Sequence, residues 1–278
     1  MTATTTASTR RKVMPFLRRH TLTLYAMVAF AYLFIPVLLV ILFGFNDVSG
    51  RFNYSWEGFT LDSWRSVFLG AEFGGVPGLF DSLLVSLRLA FLSALGATVL
   101  GTLIALALVR YQFRGRSTTN LILFLPMATP EVVMGSSILA LFLAIRFSLG
   151  FTTLLVAHIL FNISYVVVTV KARLQGFDRH LEEAAMDLYA NEWETFRRVT
   201  LPMIMPGVFA AFLLAFALSF DDFIISNFNS GQTVTFPLYI FGAAQRGIPP
   251  EVNVLGTLVF LVTVTIMLVN VWMQRRRT

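Results

Sequence analysis

Residues 176–202 read Gly176-Phe177-Asp178-Arg179-His180-Leu181-Glu182-Glu183-Ala184-Ala185-Met186-Asp187-Leu188-Tyr189-Ala190-Asn191-Glu192-Trp193-Glu194-Thr195-Phe196-Arg197-Arg198-Val199-Thr200-Leu201-Pro202. Leu181, Ala184, Ala185 and Leu188 recur at helical spacing. Asn191, with Glu194 three residues on, has the form of a capping box, so a second short helix is expected, with Trp193, Phe196 and Val199 or Thr200 on one face. Pro202 and Pro206 then open a long apolar run. The stretch is a helical hairpin between two apolar segments, and it carries Asp178, Glu182, Glu183, Asp187, Glu192 and Glu194. A helix lying on lipid wants Lys and Arg on its polar face, and an anionic leaflet repels carboxylates. A protein partner with basic residues fits better: the alanine pair permits close approach and the acids can pair with Arg or Lys.

The rest of the chain explains why such a hairpin must sit at a membrane surface. Of 278 residues, 56% are hydrophobic and 13% charged, with 28 Phe and a mean hydropathy of +0.75. A soluble domain carries about 25% charged residues, and a globule of this size has too little interior to hide so much apolar surface. A soluble enzyme, a nucleic-acid binder and a disordered chain are excluded on that ground. With no Cys, thiolate chemistry and disulfides are excluded too, and three scattered His make no metal site. A span needs roughly 20 apolar residues. Six runs qualify: about 22–45, 82–109, 120–145, 151–170, 203–225 and 252–273. They are too long, and too little alternating, for the strands of an outer-membrane barrel. The fold class is therefore all-α, a polytopic membrane protein with six transmembrane helices.

Most of the 21 Lys and Arg fall on one side of these spans. The first tail holds Arg10, Arg11, Lys12, Arg18 and Arg19; the loop after the second span holds Arg110, Arg114 and Arg116. Lys171, Arg173, Arg179, Arg197 and Arg198 lie between the fourth and fifth, and Arg275, Arg276 and Arg277 lie in the last tail. The other side has Arg51, Arg65, Arg146 and Arg246, with Arg88 near the outer end of the second span. Basic loops stay in the cytoplasm, so both termini are expected there, and the net charge of +6 reflects that bias rather than nucleic acid. The expected organisation is a basic cytoplasmic tail (1–20, its first 15 residues a disordered leader), a six-helix domain (21–274) with a cytoplasmic loop at about 171–202, and a basic tail (275–278).

The hairpin resembles the EAA loop of ABC-importer permeases: Glu-Ala-Ala, three residues, Gly, nine residues, Ile, any, Leu-Pro. Glu183-Ala184-Ala185 opens it and Val199-Thr200-Leu201-Pro202 closes it at the right spacing. Tyr189 stands where the family has Gly, which eases the turn between the two short helices. A narrower resemblance, over nearly the whole chain, is to the second permease subunit of spermidine/putrescine importers. It rests on Phe43-Gly44-Phe45-Asn46, Trp56-Glu57-Gly58-Phe59-Thr60, Arg110-Tyr111-Gln112-Phe113-Arg114-Gly115, Thr129-Pro130-Glu131-Val132-Val133-Met134, Phe220-Asp221-Asp222-Phe223 and Pro250-Glu251-Val252-Asn253. Permeases for other small solutes, such as other amines, aminophosphonates and ferric ligands, share several of these motifs. The resemblance implies a type I ABC-importer permease fold in the plasma (inner) membrane. Implied partners are a second permease subunit of a different but related sequence, two cytoplasmic ATPase subunits and an extracytoplasmic solute-binding protein. The cofactors ATP and Mg belong to the ATPase, since this chain has no phosphate-binding glycine loop. The coupling residues implied are Glu182, Glu183, Ala184, Ala185, Asp187, Leu188, Tyr189, Leu201 and Pro202.

Acids inside a span are costly and mark a path or a pair. Glu131, Asp221 and Asp222 qualify. Counted at 1.5 Å per residue from the cytoplasmic ends of straight helices, Glu131 lies about 16 Å deep and Asp221 roughly 27 Å. Pro126 and Pro130 are expected to bend the third span beside Glu131. A flexible polycation needs carboxylates at separated depths and aromatic faces for its ammonium ends, so Glu131, Asp221, Asp222 and, in the outer loop, Trp64 are candidate path residues. The competing expectation for Asp221 and Asp222 is a capping or subunit-pairing role at the end of the fifth span. A lipid-modifying enzyme would need converging catalytic groups, which His20, His158 and His180 do not supply. A secondary carrier or channel is the remaining alternative, but six spans are few for repeat-built carriers.

Overall fold

Backbone groups inside a bilayer must bond to one another, and every long apolar run of this chain is helical in the computed structural model, which describes residues 7–48, 50, 52–69, 77–176, 178 and 180–275. Phe177 and Arg179 of the hairpin, Arg51, Arg276 and Arg277 of the basic residues, and residues 1–6 of the leader lie outside the described residues. Among the described residues there is one isolated bridge, Asn46 to Phe59, and the rest of the regular structure is helical. The helices are α1 (Ala7–Phe43), α2 (Asp62–Leu69), α3 (Leu79–Arg110), α4 (Arg116–Ala128), α5 (Glu131–Ala144), α6 (Phe151–Gln175), α7 (His180–Asp187), α8 (Glu192–Thr195), α9 (Leu201–Asp221), α10 (Ile224–Asn229), α11 (Phe236–Arg246) and α12 (Pro250–Arg275), with a π turn, Phe196–Thr200, between α8 and α9. Among the described residues, five helical stretches are long and apolar enough to cross a membrane, and α4 with α5 makes a sixth if that bent pair is one span.

Two expectations change. The leader of 15 residues becomes helical from Ala7, continuous with the first span; Leu, Lys and Arg are good helix formers, and the apolar run beyond gives the helix something to propagate from. The third span is not gently bent but broken, α4 and α5 meeting at 111°. Thr129, forced out of the α region by the proline that follows it, has ψ 134°. Pro130 itself is extended at ψ 133°, whereas Pro126 stays within α4. The straight-helix depth assigned to Glu131 therefore does not hold, because the count crosses the corner.

The chain forms two units, residues 1–77 with 243–278 and residues 78–242. In the first, α12 packs against α1 and α2. Asn46 knots the loop after α1: its amide donates to Asn53 Oδ1 and to the Ser55 carbonyl, both 2.7 Å, and its oxygen accepts the Glu57 N–H at 2.8 Å. In the second, α3 lies against α6 and α9 along a seam of small residues: Ala94, Ala97 and Ala105 of α3, Ala211 and Ala215 of α9, with Val166, Val167 and Val170 of α6. Small residues let helices approach closely where the hydrophobic effect cannot drive association. The tightest point is Gly101, where an added Cβ would lie 2.6 Å from Val166 Cγ1 and 2.9 Å from its Cβ. A second layer joins α5, α6, α9 and α10 through Met134, Ile138, Ala157, Phe161, Leu218 and Ile225.

Candidate functional site

The hairpin forms as its sequence demands. Asn191 Oδ1 accepts the Glu194 N–H at 2.9 Å and Glu194 Oε2 accepts the Asn191 N–H at 3.3 Å, closing the capping box. The Trp193 and Phe196 rings lie 5.8 Å apart on one face. At the start of α7, Asp178 accepts the His180 N–H at 3.0 Å and meets its Nδ1 at 2.6 Å. The backbone bond first, and the ring second, hold this exposed acid below the usual carboxylate value. The bond to Asp178, and then its charge, lift His180 above the usual imidazole value.

Tyr189 takes the conformation that glycine favours. Its φ is +67°, and around it the Ala190 N–H reaches the Ala185 carbonyl at 3.1 Å and the Tyr189 N–H the Met186 carbonyl at 2.9 Å. This is the double hydrogen bond of a Schellman cap, with Tyr at its left-handed position. An L residue there costs about 1–2 kcal/mol, and the ring, 98% exposed, gains no packing in return. Tyr189→Gly is expected to stabilise the turn by about 1 kcal/mol, read as slower amide exchange at Leu188–Ala190; faster exchange would refute the strain.

The acids of α7 divide. Glu183 and Asp187 are exposed, as are Ala184, Leu188, Tyr189 and Pro202, while Ala185 and Leu201 are half-buried. Glu182 is 8% exposed and turns inward, its Oε1 accepting both Arg110 Nη2 of α3 and Thr200 Oγ1 of the π turn. Leu181, Met186, Leu188 and Trp193 are left uncovered within the chain. A short helix showing apolar side chains beside carboxylates is an unfilled contact surface.

The candidate path acids separate as well. Glu131 opens α5 just after the break and is exposed. Asp221 closes α9 and is exposed. Asp222 is buried: its two oxygens accept the Ile225 N–H at 3.3 Å and the Ser226 N–H at 2.8 Å, capping α10. Both exposed acids thus sit at helix breaks, and the layer around Phe161 and Ile225 packs the helices that flank them. Trp64, in the first unit, stacks on Phe45 at 4.9 Å and Phe68 at 6.5 Å.

Sequence reasoning set His158 aside, yet it is completely buried. Its Nδ1 lies 2.6 Å from Ser219 Oγ and its Nε2 3.1 Å from Ser226 Oγ, with Asp222 Oδ2 at 3.5 Å and Ser93 Oγ 2.8 Å from Ser219 Oγ. The available signal was a polar residue in each of three apolar runs, since polar side chains in spans bond across helices.

Residues 97–276, from the middle of α3 to the end of α12, match the family of binding-protein-dependent transport system inner membrane components. The chain is 37% identical over 253 residues to the spermidine/putrescine transport system permease protein PotC of Haemophilus influenzae, covering 91% of this chain and 95% of that protein. It is 39% identical over 250 residues to PotC of Escherichia coli strain K12, covering 90% and 92%, and 35% identical over 254 residues to the putrescine transport system permease protein PotI of the same strain, covering 88% of each. The fold matches a chain from the crystal structure of a bacterial ABC transporter involved in the import of the acidic polysaccharide alginate, with a TM-score of 0.62, 15% identity and full coverage of both chains. With its EAA hairpin, its helical membrane fold and the match of residues 97–276, the chain belongs to the binding-protein-dependent transport system inner membrane components, as a permease of an ABC importer.

Proposed function

We propose that this permease carries a small polycation, spermidine or putrescine, across the plasma (inner) membrane by alternating access. The substrate class rests on one observation: relatives of 35–39% identity along nine-tenths of the chain are polyamine permeases by name. The exposed carboxylates of Glu131 and Asp221 support it, each at a helix break, and at Asp221 the carbonyl end of α9 adds to the attraction for a cation. Asp222 shapes the path through α10 instead of facing it, and Trp64 holds the loop after α1. The driving force comes from two cytoplasmic ATPase subunits that bind ATP and Mg and dock on the face of α7 carrying Glu183, Ala184, Leu188 and Tyr189. A related second permease completes the pathway, and an extracytoplasmic binding protein delivers the solute.

The test is uptake per assembled complex. Asp221→Asn and Glu131→Gln keep shape and remove one negative charge each. Each should weaken transient binding of labelled spermidine by about 1–3 kcal/mol, roughly 5- to 150-fold in uptake at low concentration. Unchanged spermidine uptake in the double variant would remove the polycation reading; loss of complex with unchanged uptake per complex would assign the acids to subunit contacts. For orientation, the basic loops support cytoplasmic termini. A reporter active only outside the cytoplasm, fused after Thr278, should stay silent, and a strong signal would invert the topology.

A further inference from the structure

We propose that Arg110 and Glu182 form the strut through which movement of the α7–α8 hairpin reaches the membrane helix α3, which makes them positioning residues for the ATP-driven step; this rests on the ATPase-coupling reading above. The second arm of the hairpin continues through the π turn into α9, but α7 has little else to hold it to α3. In the eight residues of α7, Glu182 is the buried one, and the apolar side chains that would ordinarily pin so short a helix are uncovered. A cleft of about 560 Å³ opens beneath, lined by Leu106, Tyr111, Met186, Trp193 and Phe196, with Arg110 and Glu182 in its wall. Across this cleft it is the ion pair that joins α7 to α3.

The pair is built for that load. The side chains of Arg110 and Glu182 are 24% and 11% exposed, so water screens their attraction weakly. Arg110 Nη2 also lies 3.2 Å from Thr200 Oγ1, and Thr200 is completely buried. Three elements meet at one point: the last residue of α3, the first turn of α7 and the π turn that leads into α9. From Arg110 back to Leu79, α3 runs 32 residues and is locked to α6 and α9 by its small-residue seam. A push on α7 that keeps the ion pair intact moves the end of α3, and α3 carries it as a rigid element. Glu183, one position along, points the other way and meets the partner. Adjacent carboxylates thus divide the work, one taking up the force and one passing it on.

The chain has no Cys, so a single reporter thiol can be placed at the far end of α3. Phe80→Cys suits this, since Phe80 is exposed and lies nearly the whole helix away from Arg110. The assembled complex in nanodiscs is treated with a maleimide, with and without ATP and vanadate, and its ATPase rate is measured alongside. With the strut intact, nucleotide should change the labelling rate. Glu182→Gln should abolish that change while the ATPase remains bound and active, and the exchange Arg110→Glu with Glu182→Arg should restore it. Thr200→Val, which removes one donor to Glu182 and preserves shape, should reduce the response without abolishing it, and it serves if Glu182→Gln fails to assemble. A full response in Glu182→Gln, or in Thr200→Val if only that assembles, overturns the strut and leaves the coupling reading standing. So does a smaller amount of complex with a normal response in what remains. No response with Glu182 and Arg110 both present removes the coupling reading and the strut together.

Discussion

Glu183→Lys is expected to leave the permease folded in the membrane and to strip it of its ATPase. Glu183 is exposed on α7, so inside the chain its replacement breaks nothing, unlike a change at Glu182, whose oxygen holds Arg110 and Thr200. Its neighbours Ala184 and Leu188 are exposed too, and together they leave an uncovered surface from which a partner can exclude water. Reversing a charge at such a contact costs about 2–5 kcal/mol, a loosening of some 30-fold or more. The measurement is the amount of ATPase that co-purifies with a fixed amount of permease, followed by uptake in the same cells. Normal retention and normal uptake would end the docking role of this face. Loss of the permease itself from the membrane would show that Glu183 is structural.

Gly101→Leu should be as damaging for a different reason. The Cβ alone would stand 2.6 Å from Val166 Cγ1, and Val166 is β-branched and buried, so it cannot swing aside. Overpacking a close helix contact costs about 1–3 kcal/mol per site, and a leucine there adds three more carbons with no room for them. The expected result is a permease that fails to accumulate or melts well below the wild type. Gly101→Ala should be milder, and Val166→Ala in the same chain should recover part of the loss by removing Cγ1, the nearest atom in the way, while Cβ at 2.9 Å stays. Wild-type melting in Gly101→Leu would show that α3 and α6 need not approach so closely.

Local features were legible in the sequence, and long-range partners were not. The capping box at Asn191 and Glu194 needs four consecutive residues and appears as read. A bend at Pro126 and Pro130 was expected, but a proline says where a helix is disturbed and not where the next one points, so the 111° break was not foreseen and the depth of Glu131 was misjudged. Glu182 and Glu183 looked alike in the sequence. What separates them is Arg110, 72 positions away, which captures one and leaves the other. Asp222 was weighed between path and cap; its cap is local, while the burial that comes with it depends on His158, which the sequence showed only as a lone polar residue. Tyr189 was noticed because glycine was wanted there. The backbone kept glycine's conformation and accepted the strain, since the two cap hydrogen bonds hold the turn whichever residue occupies it.

The π turn between α8 and α9 has a consequence for chain length. Within Phe196–Thr200 the helix is wound one residue wider than an α-helix, and the winding continues without interruption to Asp221. Each α-helical residue turns the chain by about 100°. The wide turn absorbs one extra residue, so removing a residue there would restore ordinary winding and leave the helix beyond nearly in phase, whereas removing one within α9 would rotate everything beyond it by that amount and carry Asp221 off its present bearing. Phase along α9 is therefore set by a count of residues, and a deletion between Leu201 and Asp221 should be tolerated far less well than one within the wide turn.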